Sequence, residues 1–352
     1  NNMRKVGIVT IFDLNNYGNR LQNYAVEQIL KKCGVVPTTL VLPCYEEIFK
    51  YNNKLENFAK KIYSRIFKNN RIERYLSFLK FQKNMNAKNI SNTSDLNDLY
   101  DMFIVGSDQV WHPDVISDDM FLRFAEKKKR ATISPSFGLD GIPKEKGDYY
   151  RNGLCGFNKI TVREESGKDI IEGLCDVQVD VNLDPVFMLD SEEWDRVSKP
   201  VKGVADRYII KCMLGDDNLD NEEIINKIAQ EKKIEIIDIH DESNRLYKIG
   251  PGEFIWLIKN AQFVITNSFH AIAFSVIYRK DFVALNRYQD KNDMNTRLEY
   301  VLKRFGLIDQ FVSGCNDFTT DKVDYTETMK ILKKEQDKMM KYIRDVLQDS
   351  SI

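Results

Sequence analysis

Histidine is scarce in this chain: only His112, His240 and His270 occur among 352 residues. His270 has the most telling neighbours. Phe263-Val264-Ile265-Thr266 reads as a buried strand, and Asn267 or Ser268 can cap the helix that follows through a side-chain oxygen. The N–H groups of that first turn, with the helix dipole, favour an anion at Asn267, Ser268 and Phe269. A histidine there can give or take a proton beside the anion. The competing reading is a structural histidine whose bonds are satisfied. Its place at a strand's carboxyl end favours function.

Three other runs carry possible chemistry. Arg163 follows the strand Lys159–Val162, and its planar fork suits a carboxylate or phosphate; a local ion pair, to Glu164 for instance, is the plainer reading. The turn Asp13–Asn19 offers Asn15, Asn16, Gly18 and Asn19, so backbone and amides can approach a ligand closely, or simply cap a helix. In Gly106–Pro113, the polar Ser107, Asp108 and Gln109 beside Trp111 suit a sugar, with hydrogen bonds for hydroxyls and a ring for the apolar face. Trp111 as plain core is the alternative. Ser136, in the loop after another strand, joins these as a candidate acceptor contact.

The elements that must position these residues alternate. Val6–Phe12 is a continuous apolar run, as in a strand buried on both faces of a parallel sheet. A helix with Leu21, Tyr24, Ala25 and Ile29 on one stripe follows, and then the strand Pro37–Leu42. Strands recur at Met102–Val105, Ala131–Ile133, Lys159–Val162 and Val177–Val181. A polar stretch, Glu192–Asp206, reads as a linker. Beyond it, strands at 207–213, 235–239, 263–266 and 282–285 alternate with helices, and Leu332, Met339, Ile343 and Val346 stripe a last helix. The expected fold is α/β: two Rossmann-like doubly wound domains facing a cleft, with a C-terminal helix packing back. The expected divisions are an N-terminal domain over 3–192, a C-terminal domain over 205–325 and the returning helix over 326–352.

Composition narrows the class. At 43% hydrophobic and 30% charged residues the chain reads as an ordinary globular protein, and a net charge of −1 calls for no polyanionic partner. Asn1 and Asn2 precede the first Met and are left aside. No secretion signal is expected from the short run after Met3, and no stretch of ~18 uninterrupted apolar residues exists to span a membrane. The six cysteines lie far apart without a CxxC pair, which suits reduced thiols and no metal site. Neither a GxGxxG nor a Walker A loop is present, so dinucleotide and ATP binding gain no support. Residues 50–90 hold eleven Lys and Arg against Glu56 and Glu73. This segment reads as a basic amphipathic helical pair inserted in the first domain, with stripes at Leu55, Phe58, Ala59, Ile62, Ile66 and at Ile72, Tyr75, Leu76, Leu79. It is either a solvated face or a contact for anionic lipid or a lipid-linked substrate. Nucleic acid is not expected, since no nucleic-acid motif accompanies it.

In order along the chain stand Ile11–Ala25 with its Asn-Tyr-Gly turn, Ile104–Trp111, Thr161-Val162-Arg163-Glu164-Glu165-Ser166, Asp184-Pro185-Val186-Phe187 and Thr266-Asn267-Ser268-Phe269-His270. Together, over roughly residues 6 to 310, they resemble the polysaccharide pyruvyl transferase family. The resemblance implies a fold similar to GT-B glycosyltransferases. It also implies transfer of pyruvate from phosphoenolpyruvate (PEP) to a sugar of a cell-surface glycan, or its lipid-linked precursor, as a cyclic ketal. PEP is then a co-substrate, and no cofactor or metal is expected. Arg163 matches the family arginine that holds PEP, and His270 the histidine that acts as acid or base. The C-terminal half is the expected donor side and the N-terminal half the acceptor side. Many members have Arg where this chain has Ser268 and Gly where it has Ala271; Arg297 is a candidate replacement for the charge. A cytoplasmic enzyme is expected, with a peripheral place at the inner membrane face as the alternative. The rivals are a nucleotide-sugar glycosyltransferase on the same architecture and a non-catalytic glycan-binding relative.

Overall fold

A computed structural model of the chain describes residues 3–43, 69–288 and 295–349, apart from 313, 315–317 and 319. In chain order the elements begin β1 (Lys5–Val9), α1 (Tyr17–Lys32), β2 (Val36–Val41), α2 (Asn70–Gln82), β3 (Ala87–Asn89), α3 (Leu96–Leu99), β4 (Met102–Val105) and β5 (Arg130–Thr132). Then come α4 (Gly147–Leu154), β6 (Lys159–Val162), α5 (Glu165–Glu172), β7 (Gln178–Val181), α6 (Ser191–Asp195), β8 (Tyr208–Cys212), α7 (Leu219–Lys232) and β9 (Glu235–Asp238). The chain closes with α8 (Pro251–Asn260), β10 (Phe263–Thr266), α9 (Phe269–Ile277), β11 (Phe282–Leu285), α10 (Asn295–Arg304), β12 (Phe311–Val312) and α11 (Thr326–Asp349). Two compact units result. One takes Asn1–Glu56, Gln82–Leu189 and Lys334–Ile352; the other takes Asn57–Phe81 and Asp190–Lys333.

The first unit holds a parallel sheet of order β3-β2-β1-β4-β5. Its central strands are buried on both faces, which is why their sequences run apolar without alternation. The parallel pair β6-β7 lies beyond β5. A threonine pair bridges the seam, with the Thr161 amide donating to Thr132 Oγ1 at 2.7 Å. From α11, the buried Tyr342 donates its hydroxyl to the Thr132 carbonyl at 2.9 Å, and Lys338 Nζ donates to the Val181 carbonyl at 2.9 Å.

The second unit holds the parallel sheet β12-β11-β10-β8-β9. Ile209, Phe263, Ile265, Val283 and Leu285 from its strands pack on Ile224, Ile225 and Ile228 of α7. Both sheets are doubly wound as expected. In each, consecutive connections diverge at one point of the strand order: between β1 and β4 in the first unit, and between β8 and β10 in the second. Chains of this topology leave an open crevice at such a point, beyond the strands' carboxyl ends.

Two features differ from the sequence reading. The basic insertion was expected in the first domain, yet its described helix, α2, packs in the second unit as far as Phe81. Its buried line is Arg74, Phe78 and Phe81, whereas Ile72, Tyr75, Leu76 and Leu79 are half-buried. The reason is local: the Arg74 guanidinium lies over the Tyr247 ring at 4.9 Å and donates to the Tyr247 carbonyl at 2.9 Å, so its plane and stem fill an aromatic slot. The first stripe, Leu55 to Ile66, lies outside the described residues. The expected linker, Glu192–Asp206, opens instead within the helix α6. An Asp190/Glu193 capping box starts that helix, and the fully buried Trp194 packs edge-on to Phe274 at 4.9 Å.

Candidate functional site

In the first unit, the predicted residues gather at the carboxyl ends of β1, β4, β5 and β6. Asn16 caps α1 by accepting from the Asn19 amide at 3.1 Å, while the Asn15 and Asn16 side chains stay exposed. Gly18 is buried in the first turn. Asn19 is buried and bridges the crevice. Its Nδ2 donates to the Ile11 carbonyl at 2.9 Å and to Asp108 Oδ2 at 2.6 Å, and its Oδ1 accepts from the Asp13 amide at 2.9 Å. Asp108 adopts φ +70°, a left-handed geometry that Asp tolerates better than most residues. Gly106, at φ +112°, precedes it; a Cβ there would meet the Ile133 carbonyl at 2.4 Å.

Ser107 serves structure. Its hydroxyl donates to the Ser134 carbonyl at 2.9 Å and its amide to Gln22 Oε1 at 3.1 Å, all fully buried. Ser136 is likewise buried and joins its hydroxyl to Glu164. Gln109 remains half-buried beside Gly138, whose missing side chain leaves it room. Trp111 is a correction. It was expected as a ring open to a sugar, yet it is fully buried, donates Nε1–H to the Met120 carbonyl at 3.0 Å and packs on Phe121, Phe137 and Phe157. An indole among aromatic neighbours buries more apolar area than any sugar face would cover.

Arg163 is buried at 6% exposure. Its Nη1 donates to Asp184 Oδ2 at 2.8 Å, and its Nε lies 3.4 Å from Glu164 Oε2. Burial opposes its charge, but Glu164, Asp184 and Asp108 together outweigh that and hold the guanidinium firmly protonated. The ion pair considered from sequence is therefore present, with Asp184, 21 residues away, as its shorter partner. Around this one cation stand three acids, so this end of the first unit is rich in hydrogen-bond acceptors.

In the second unit, the predicted residues lie at the starts of two helices. Ser268 occupies the N-cap position of α9 without a side-chain capping bond, and its amide donates to Thr266 Oγ1 at 2.9 Å. Asn267, the other capping candidate, is buried and clamps the loop after β8: its Oδ1 accepts from the Leu214 amide at 2.7 Å and its Nδ2 donates to the Leu214 carbonyl at 2.8 Å. Phe269 and His270 open the helix, half-buried, with their rings edge to face at 5.1 Å. Arg297 is buried in the first turn of α10.

Sequence reasoning missed His240 and Arg287. His240 follows β9, and its Nε2 lies 3.5 Å from Cys212 Sγ at the end of β8. Burial first, then the charge of Arg74, pushes its pKa down to about 4, so the ring is neutral near pH 7. A cavity of about 510 Å³ opens beside it, lined by Lys211, Leu214, Asn218, Asn221, Asp238 and others. The signal was available: His240, like His270, stands at the carboxyl end of a strand legible from its apolar run.

The model of the polysaccharide pyruvyl transferase family matches residues 16–288 of this chain. No curated protein sequence matches. Among solved structures, the chain is similar to the UDP-GlcNAc 2-epimerase from Methanocaldococcus jannaschii, with 14% identity, TM-score 0.49, and coverage of 94% of this chain and 92% of that one. It is also similar to Arabidopsis thaliana UGT89C1 complexed with UDP-L-rhamnose, with 8% identity, TM-score 0.49, and coverage of 99% and 100%.

Proposed function

The chain belongs to the polysaccharide pyruvyl transferase family, and from that premise we propose that it transfers pyruvate from PEP to a sugar of a cell-surface glycan or its lipid-linked precursor. The family match over most of the chain carries this reading. His270 supports it by standing in the first turn of α9, where the N-cap residue makes no side-chain capping bond.

The chemistry follows from the reactants. A proton added to the PEP methylene leaves a cation at the phosphate-bearing carbon. A sugar hydroxyl adds to that carbon and sheds its proton. Phosphate then departs, and a neighbouring hydroxyl closes the ketal, so PEP and a diol give a cyclic ketal and phosphate. His270 is the residue we assign to proton transfer, since an imidazole ring can both give and take a proton. The start of α9 is suited to the donor anion. The acids and amides of the first unit, Asp108, Glu164 and Asn19, suit an acceptor's hydroxyls, because carboxylates accept the hydrogen bonds that hydroxyls offer. Arg163 was expected to hold PEP. Its charge is already balanced by Asp184 and Glu164, so it brings little net charge to a donor anion. Under this reading the enzyme works in the cytoplasm, and the basic segment 50–90 attracts anionic lipid or a lipid-linked acceptor.

Thermal unfolding with PEP or with a uridine or guanosine diphosphate tests the donor. PEP is expected to raise the midpoint through linkage, and the nucleotides are not. His270→Ala is expected to abolish phosphate release from PEP in the presence of acceptor glycan, with its unfolding midpoint within a few degrees of the wild type. Stabilisation by nucleotide alone, or near-normal turnover by His270→Ala, would overturn the reading.

A further inference from the structure

Arg287 is a cation without a described counter-charge. It lies just past β11, at the same sheet edge as Asn267, Leu214 and His240. Its backbone is pinned, with the amide donating to Asn295 Oδ1 at 2.7 Å and the carbonyl accepting from Asn295 Nδ2 at 3.3 Å. Gly215 makes room for its stem: a Cβ on that residue would meet Arg287 Cγ at 3.4 Å and the Tyr288 carbonyl at 2.4 Å. Yet its Nε is buried and bonded to nothing. Among the described residues no carboxylate stands within salt-bridge distance of it, and burial alone lowers its pKa from the ordinary arginine range.

Two of the acids that line the neighbouring cavity are engaged with a lysine, while Asp216, Asp217 and Asp241 line it too. Asp238 and Glu222 hold Lys211, at 3.3 Å and 3.1 Å, and Asp238 also accepts from the His240 amide at 2.9 Å. Meanwhile the charges of Arg287 and Arg74 both reach His240 and help to keep it neutral. Because the strand order is β11-β10-β8-β9, an influence of Arg287 on His240 crosses the tips of β10 and β8. Those tips flank the point where the connections diverge, and α9, nine residues long, begins there without a side-chain cap. Arg287 is half-buried, and its buried, unbonded Nε is a donor that an anion's oxygen could satisfy. A fixed fork of N–H donors beside a helix start matches the oxygens of a phosphoryl group.

We propose that Arg287, over the carboxyl ends of β10 and β8, binds a phosphoryl group in the second unit. The inference rests on the proposed function only for the identity of that group: the donor phosphate of PEP, rather than free phosphate or a nucleoside diphosphate.

The test uses the full-length chain as wild type, Arg287→Met and Arg287→Lys. Unfolding midpoints are compared without added anion and with inorganic phosphate, PEP, UDP or pyruvate. Wild type is expected to gain roughly 3–8 °C from phosphate and from PEP at about 100-fold above Kd. Pyruvate, which lacks phosphate, is expected to give no comparable gain. Arg287→Met is expected to unfold at or above the wild-type midpoint without anion, because a half-buried cation with an unbonded Nε has gone, and to lose the phosphate gain. Arg287→Lys keeps a charge without the planar fork and is expected to fall between. The proposal is overturned if Arg287→Met responds to phosphate as wild type does, or if wild type responds to none of the phosphate compounds. A large loss of midpoint in anion-free Arg287→Met would also overturn it, by showing a structural role. Response to UDP through Arg287, with none to PEP, would support the phosphoryl site and remove the pyruvyl-transfer reading. Unchanged dependence on PEP in an Arg287→Met enzyme that still turns over would do the reverse.

Discussion

Two titratable side chains show how differently single residues are held. Arg163 has its counter-charges beside it, in Asp184 and Glu164. Removing the guanidinium in Arg163→Ala strands both acids in a buried setting, a change that costs about 3–5 kcal/mol in comparable pairs. The variant should therefore unfold at lower denaturant, and any rise in the KM for PEP should be read beside Arg163→Lys, which keeps the charge. Equal stability of wild type and Arg163→Ala would mean that the pair contributes nothing. His240 is the opposite case, a group held neutral. Its folded pKa is about 4, below the ordinary value of 6.5. Between these the unfolded chain binds more protons than the native one, so stability is fully present above pH 6.5 and is lost as pH falls towards 4. In His240→Gln the decline of midpoint with pH across that window should be shallower than in wild type. Parallel curves would show that His240 titrates alike in both states.

At the level of elements, each doubly wound sheet carries one asparagine across the point where its connections diverge. Asn19 ties the end of β1 to Asp108 after β4, and Asn267 ties the end of β10 to Leu214 after β8. An amide suits this place because it offers donor and acceptor at once to an irregular loop. Asn267→Leu would leave the Leu214 amide and carbonyl without these bonds, at about 1–3 kcal/mol for each group left unsatisfied. Amide hydrogen exchange at Leu214 should accelerate in that variant, and unchanged protection would show the clamp to be dispensable. Element types were legible in the sequence. Met102–Val105, Lys159–Val162, Phe263–Thr266 and Phe282–Leu285 are strands where apolar runs predict them. The face of α2 was not, because apolar residues lie on more than one side of that helix. Only the Tyr247 ring and carbonyl decide that Arg74 turns inward.

For the whole chain, two doubly wound units are built from interleaved stretches of sequence. The helix α11 contributes residues up to Lys333 to one unit and residues from Lys334 to the other. Its second half completes the first unit's core through Met339, Tyr342 and Ile343. Tyr342→Phe removes the bond to the Thr132 carbonyl and should lower stability by about 1 kcal/mol, read as a drop in unfolding midpoint. A midpoint at or above wild type would mean that this hydroxyl adds nothing. Among the described residues no helix is long and apolar enough to cross a membrane.

The sequence by itself determined the fold class, the alternation of strands and helices and the family, because apolar period and motif order are properties of neighbouring residues. It also placed His270 at a strand-to-helix junction for the same reason. Tertiary structure alone decided what each charged or aromatic side chain meets. Trp111 proved to be core, since exposure depends on Phe121, Phe137 and Phe157, brought in from 10 to 46 residues away. Arg163 proved to be paired, since Asp184 arrives from the end of the next strand. Arg287 and His240 became visible as a candidate anion site only once β8, β9, β10 and β11 lay side by side. Contacts across a sheet edge join residues distant in sequence, and no local period encodes them.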